Sequence, residues 1–388
     1  MLRRDIAPRA NWQALAAEYG FHFHTMYGEP YWQEDAYYQF TLKQIEDDLE
    51  TPTAELHQMC LAAVDAVVHD ELWLKKFCIP EAYWDQVRDS WQQQAPSLYS
   101  RMDLVYDGRT PAKLLENNAD TPTSLYETGF WQWLWLQDNV DAGVLPARSD
   151  QFNSLQEKLV HRFANLRERE GWDSMHFTCC QDTVEDRGTV QYLQDCAEAA
   201  GITQHFNFIE QIGLSAEGYF TDKLDRVITR CFKLYPWEFM LAEEFGSHLK
   251  TADVQWLEPM WKSVLSNKAL LPMLWQLFPE HPNLLPAYFS DNTARFAQGR
   301  WVKKPLFSRE GANISIMEGQ AMLAQSNGPY GAEGFIYQAY HPLPQYNGKH
   351  TLIGSWLVDD LPAGISVRED KSMITQDMSR FLPHIILG

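Results

Sequence analysis

Arg101, Asp103, Glu116 and Asn118 are the four residues whose types and spacing most readily do chemistry. Tyr99 to Tyr106 has the composition of a strand, Asp107-Gly108-Arg109-Thr110-Pro111 that of a turn-rich connection, and Ala112 to Asn118 that of a second strand. In an antiparallel pair the numbers of opposed residues have a constant sum, so Asp103 is expected to face Glu116 and Arg101 to face Asn118. The two-residue period of a strand then keeps all four side chains on one face. Two carboxylates and an amide oxygen suit a hard, oxygen-seeking ion such as Mg2+, and Arg101 would meet a phosphate or a carboxylate. A bulge inside the pair would destroy this register, and a solvated face of cross-strand ion pairs would use the same residue types.

The rest of the chain must position this hairpin. Residues 40–95 read as helical, with Leu42, Ile45 and Leu49 on one face, then Leu56, Cys60, Ala63, Val64 and Val67 after a start at Thr51-Pro52. Ser154 and Glu157 have capping-box spacing ahead of a stripe of Leu155, Leu159, Phe163 and Leu166. An apolar run at Met175 to Cys179, a helix from about Gly188 to Ala200 stopped by Gly201, and a strand at Phe206 to Ile209 make a β-α-β unit. Its loop, Gln181 to Asp186, falls at the carboxyl end of a strand, where α/β folds hold ligands. Its acids would hold an amine, or serve only as helix-start acids. Trp301 to Leu306 reads as a basic strand followed by a glycine-bearing polar loop through Gly311, a pattern that exposes backbone N–H groups to phosphate. Gly328, Gly331 and Gly334 mark a second mobile loop. Thr351 to Val358, a turn through Pro362 and Gly364, and Ile365 to Arg368 read as a closing hairpin.

With 388 residues, 45% hydrophobic and 13% aromatic, the chain can build a large folded core divided into subdomains. A formal charge of -20 argues against nucleic acid and anionic membranes as partners, favours a cationic amine, and means that an anionic substrate needs a local basic pocket. The N-terminus has no apolar run of signal-peptide length, and no stretch of about 18 apolar residues occurs, which predicts a cytoplasmic protein. The six cysteines lack zinc spacing and read as reduced thiols, with one of the Cys179-Cys180 pair turned into the core. His22 and His24 could share a metal only with a third ligand that the sequence does not supply nearby. Walker and G-x-G-x-x-G patterns are missing.

Taken together, Ser100-Arg101-Met102-Asp103, Leu115 to Asp120, Glu258-Pro259, Ser266 to Pro272, and Lys304-Pro305 through Arg309, Gly311 and Asn313 resemble the glutathionylspermidine synthetase family, in the same order and over roughly residues 20–385. The resemblance implies an α/β (α+β) ATP-grasp fold. It forms one synthetase domain over 1–388, with a helical part at about 1–98, a catalytic hairpin at 99–150, an α/β substrate part at 151–255 and an ATP-binding part at 256–388. It also implies an ATP- and Mg2+-dependent acid–amine ligase, with a peptide-like acid and an amine, such as a polyamine, as small-molecule partners.

Carried over residue by residue, the family's magnesium ligands fall on Asp103, Glu116 and Asn118, and its catalytic arginines on Arg101 and Arg368. Its ATP contacts fall on Lys268, Lys304, Gly311, Gln338 and Met373-Ile374-Thr375, the last three where a nucleotide-contacting strand begins. Arg101 and Asp103 also approach the nucleotide. Thr121 and Thr123 match contacts to the peptide carboxylate, and Glu185 with Asp186 an acidic pair near peptide or amine. The chain begins too late for the amidase half of bifunctional members, so a synthetase alone is expected. Phe239 stands where glutathione-using members place a small hydroxyl residue, which puts glutathione in doubt. Two other readings compete: a catalytically silent ATP-binding regulatory protein of the same fold, and a sugar-hydrolysing cleft using Asp103 and Glu116.

Overall fold

The computed structural model of the chain describes residues 1–289, 298–319, 321–376 and 379–387. Helices Leu42–Ile45 and Glu46–Glu50 run directly into α1 (Thr51–Val68), whose Leu56, Cys60, Ala63, Val64 and Val67 are fully buried. The stripe is as expected, but Thr51-Pro52 does not start a new helix. Proline has no N–H, and its ring would collide with the carbonyl four residues back. The preceding turn is widened to π geometry, with the Thr51 N–H donating to the Glu46 carbonyl, and so lets the helix pass through the proline. The remaining helical region breaks into Glu71–Lys76 and Trp84–Gln92, the first capped by the Asp70 carboxylate accepting from the Leu72 N–H.

β1 (Tyr99–Val105) and β2 (Lys113–Asn118) pair with Arg101 opposite Asn118 and Asp103 opposite Glu116, as the constant-sum argument requires. A register shift occurs between Asp103 and Leu104: Leu104 pairs with Leu114 and Val105 with Lys113, a register that run on unbroken would put Leu115 opposite Asp103, so the bulge itself sets the pairing of the four residues. Met102 and Leu104, on the other face of β1, enter the main core.

α2 (Leu155–Glu170) buries Leu155, Leu159, Phe163 and Leu166 and ends at left-handed Gly171. No capping box forms at its start, because the Ser154 hydroxyl donates to the Ala363 carbonyl of a neighbouring strand. β3 (Ser174–Cys179), α3 (Val184–Ala199) and β4 (Thr203–Phe206) form the expected β-α-β unit. α3 begins one turn earlier than predicted, with Glu185 and Asp186 in its first turn. β4 lies upstream of the predicted Phe206 to Ile209, because as a half-exposed edge strand it carries polar residues that an apolar-run criterion passes over. β5 (Arg230–Leu234) and β6 (Gln255–Leu257) complete a four-stranded parallel sheet in the order β6-β5-β3-β4.

β7 (Arg300–Pro305), β8 (Ser315–Glu318) and β9 (Phe335–Ala339) belong to a five-stranded antiparallel sheet with Ala287–Phe289 and Ala321–Gln325 at its edges. The closing hairpin, β10 (Lys349–Val358) and β11 (Leu361–Asp370), pairs β10 against β1 and so joins the β1–β2 hairpin to the central sheet. Its turn is Asp359-Asp360, with φ of 51° and 63°, and not Pro362-Gly364 as the sequence suggests. Two left-handed residues match the twist of a hairpin, and aspartate tolerates them. Pro362 and Gly364 instead sit within β11 at a register shift, where a Cβ on Gly364 would lie 2.9 Å from the Phe152 carbonyl oxygen.

Candidate active site

The three sheets surround one cavity of about 340 Å³, in the range that takes a small-molecule ligand. Arg101, Asp103, Glu116 and Asn118 line it from the central sheet, joined by Arg368 of β11. Asp103 is bracketed: one carboxylate oxygen accepts from Arg101 Nε at 2.9 Å and the other from Arg368 at 2.5 Å. Arg101 also donates to the Thr123 carbonyl at 3.0 Å and lies 5.5 Å from the Trp356 ring centroid.

Glu116 is flanked by lysines. Lys268 Nζ stands 3.1 Å from its carboxylate and donates to the Ser308 carbonyl at 2.7 Å. Desolvation would push the Glu116 carboxyl up, but the charges of Lys268 and Lys304 outweigh burial and hold it well below the ordinary range. Lys304, buried and hydrogen-bonded to the Leu115 carbonyl, is pushed the other way by desolvation, to about 8. Lys268 stands one layer behind the cavity wall, whereas Lys304, Gly311, Gln338, Met373, Ile374 and Thr375 are on it. Met373-Ile374-Thr375 is irregular chain after β11 and not the start of a strand, because the Asp370 carboxylate folds the segment back by accepting from the N–H groups of Ser372 and Gln376. Gln338 donates to the Leu114 carbonyl, while its own amide oxygen is buried without a partner among the described residues.

Among the described residues no three His, Cys, Asp or Glu side chains gather around a point that could hold a metal. The fit to Mg2+ therefore rests on the donor chemistry of two carboxylates and one carboxamide on adjacent strands. That set suits the ion: an ionised carboxylate has about four lone-pair sites, more than the arginine and lysine contacts use. His24 packs edge-on against Trp12 and Phe21 instead of joining such a group.

The remaining wall is differently charged. Thr121, Thr123, Glu185 and Asp186 line it, and the two acids both open α3 and face the cavity. Burial pushes Asp186 up to about 7. Tyr31 donates to Glu185 at 2.7 Å. Phe239 and Tyr235 close one side with ring centroids 5.8 Å apart, next to half-buried Cys180, while Cys179 turns into the core.

Arg309 was within reach of sequence reading, through its place in the Lys304 to Asn313 motif, but its role is tertiary. It donates to Thr121 Oγ1 and to Glu238, each at 2.6 Å, and ties the glycine-bearing loop to the substrate wall. The two glycine-rich loops are also tied to each other, Asn313 Oδ1 accepting from the Tyr330 N–H at 2.8 Å. Gly311 has φ +68°, and a Cβ there would lie 2.3 Å from the Thr375 carbonyl oxygen. Gly311→Ala must therefore displace one cavity loop from the other. A loss of at least about tenfold in kcat/KM for nucleotide is expected, since misplacement on the 1 Å scale can cost about a hundredfold. Unchanged steady-state kinetics would show that the loop tolerates the shift.

A Haemophilus influenzae protein provisionally named an acid–amine ligase is 40% identical over 366 residues, covering 92% of this chain and 91% of that protein. The Escherichia coli bifunctional glutathionylspermidine synthetase/amidase is 28% identical over 382 residues, and the Crithidia fasciculata trypanothione synthetase 29% over 346. These alignments cover 91% and 83% of this chain but only 60% and 52% of the two longer proteins. A glutathione synthetase-like effector from Globodera pallida superimposes with a TM-score of 0.56 at 11% identity, over 90% of this chain and 89% of that one, which supports the mixed helix and sheet fold of the ATP-grasp kind. No described helix is long and apolar enough to cross a membrane. Residues 3–387 match the family described as glutathionylspermidine synthase preATP-grasp, and the chain belongs to that family.

Proposed function

We propose that this protein is an ATP- and Mg2+-dependent acid–amine ligase that joins a peptide-like carboxylate to an amine through an acyl phosphate. The observation that carries the reading is the division of one cavity: Arg101, Arg368 and Lys304 line it beside Asp103 and Glu116, and Glu185 with Asp186 line it elsewhere. The first group suits polyphosphate and carboxylate, the second an ammonium ion.

In the proposed reaction the acid attacks the γ-phosphate of ATP, and the amine then displaces phosphate from the acyl group. Lys304 and Arg368 on the cavity wall, with the charge of Lys268 behind Glu116, offset negative charge on the transferred phosphoryl, and Arg101 orients the carboxylate and stabilises the tetrahedral centre. Glu116, Asp103 and Asn118 would hold Mg2+, which supplies charge neutralisation at the phosphate oxygens. Gly311 and the Met373 to Thr375 segment would cover the nucleotide, and Gln338 would meet its base through the unpartnered amide oxygen. Thr121 and Thr123 would meet the peptide carboxylate. Polyamines are the first amines to try, and Phe239 on the cavity wall argues against glutathione as the acid. Sugar hydrolysis is disfavoured, because Glu116 is held ionised and Asp103 is held between two arginines, so neither is placed to act as a general acid.

The test is phosphate release from Mg-ATP in the presence of pooled peptides and pooled polyamines, with the product identified by mass. Release that needs both pools is expected. Tight ATP binding without turnover in any combination would favour the silent nucleotide-binding reading, and failure to bind ATP would refute both.

A further inference from the structure

Glu127 is the first residue of a single π turn, Glu127–Trp131, and is buried; neither carboxylate oxygen has a hydrogen bond of good geometry among the described residues, and the hydroxyl within reach, that of Tyr31, donates to Glu185 instead. It stands behind the cavity wall, whereas Glu185 is on it. Two hydroxyls connect the region: Tyr31 donates to Glu185 at 2.7 Å, and Ser124 Oγ lies 3.3 Å from both the Tyr31 hydroxyl and the Glu185 carboxylate. The charged and titratable groups around Glu127 include Glu185 from α3, Tyr31 from the N-terminal segment, Arg101 from β1 and the adjacent Tyr126. Burial first, and then the Glu185 charge, push the Glu127 carboxyl up to about 8, against smaller opposing effects of Tyr31 and Arg101. A shape-filling role would need no ionisable group here. A carboxyl kept neutral by a carboxylate that faces the ligand responds when a cation neutralises that carboxylate.

We infer that Glu127 is a proton-linked positioning residue for the amine: an ammonium ion settling on Glu185 expels the Glu127 proton, and the pair accepts a proton back as the amine attacks. This rests on the ligase reading. The protons balance. Amine binding releases one proton to solvent and leaves both carboxylates ionised. As the C–N bond forms and the acyl C–O bond to phosphate breaks, one ammonium proton goes to the carboxylate pair, one leaves with phosphate as HPO4 2-, and one stays on the amide.

Carboxyl-region infrared spectroscopy of the whole unliganded protein tests the pairing without knowing the substrates. Asp186, at about 7, contributes to any protonated-carboxyl band near neutral pH, so a further component titrating near 8 is expected, absent in Glu127→Gln, kept in Asp186→Asn and titrating at lower pH in Glu185→Gln. With spermidine, Mg2+ and a non-hydrolysable ATP analogue, that component should disappear at pH 7 with proton release. In turnover the amine KM should fall as pH rises through about 8 in the wild type, because Glu127 then ionises without cost to binding. In Glu127→Gln the KM should lose its change near 8, keep any change near 7 that belongs to Asp186, and be about tenfold higher at pH 9, within the usual range of coupling between sites, with kcat less affected. No such component, or one indifferent to Glu185→Gln, overturns the pairing. A component unchanged by bound spermidine overturns the linkage. If spermidine does not bind while the unliganded component behaves as expected, the assignment of a polyamine to Glu185 fails and this inference falls with it.

Discussion

Asp103→Ala is expected to lower turnover by at least about 10²- to 10³-fold, the scale seen when one preorganised charge at a reacting centre is removed. Asp103 is the common acceptor of Arg101 and Arg368, so its loss does more than delete a metal donor. It leaves two guanidinium groups close together in a buried site with no carboxylate between them, and they will separate or recruit Glu116. Arg101 would keep the Thr123 carbonyl and the Trp356 face, so the strand need not unfold. Asp103→Asn separates the two roles, because it preserves side-chain size and one acceptor oxygen but not the charge. Both variants should still bind ATP through the lysines while losing acid- and amine-dependent phosphate release. Thermal unfolding of each variant should be measured with the kinetics. Wild-type turnover in Asp103→Ala would remove the foundation of the proposed mechanism.

The core of this site was legible in the sequence because strand pairing is a rule of small numbers. With Tyr99 to Tyr106 and Ala112 to Asn118 as strands, placing Asp103 opposite Glu116 also places Arg101 opposite Asn118, but the strand bounds alone do not choose that register. The same rule could not foresee the shift between Asp103 and Leu104, without which Asp103 would face Leu115. Local signals misled where a breaker residue has a tertiary purpose. Pro52 passes through a helix because a π turn admits it, and Gly364 serves a close approach to Phe152 while two aspartates make the turn. Contacts distant along the chain were not readable from pattern at all. Arg309 reaches Thr121 across 188 positions and Glu238 across 71, and nothing in its neighbours announces either partner. The family resemblance supplied Lys268 and Arg368 but neither Tyr31, whose position depends on how the N-terminal segment packs over α3, nor Glu127, buried on the π turn Glu127–Trp131.

A second large effect, this one on stability, is expected at Lys233. Its ammonium lies 2.6 Å from the Asp120 carboxylate, and both side chains are completely inaccessible to solvent. The pair is fully supported: Lys233 also donates to the Tyr235 carbonyl at 2.9 Å and faces the Trp237 ring at 4.4 Å, while Asp120 accepts from the Trp237 N–H at 2.8 Å. Desolvation lowers the Lys233 pKa, and the Asp120 charge opposes that loss of proton affinity. Lys233→Met removes the cation and strands a buried carboxylate, which costs about 3–5 kcal/mol in comparable cases. The denaturation midpoint should fall accordingly, with little change in the slope that reports exposed surface. Replacing both partners, as in Asp120→Leu with Lys233→Met, should recover much of the loss, because no lone charge then remains buried. A double variant as unstable as the single one would show that the Trp237 and Tyr235 contacts, and not the ion pair, dominate. The position of the pair links this stability to the chemistry: Asp120 directly precedes Thr121, and Lys233 directly precedes the Leu234-Tyr235 side of the cavity. Loosening the pair should therefore raise the KM for the acid before it affects nucleotide affinity, since the lysines around Glu116 are held by separate contacts.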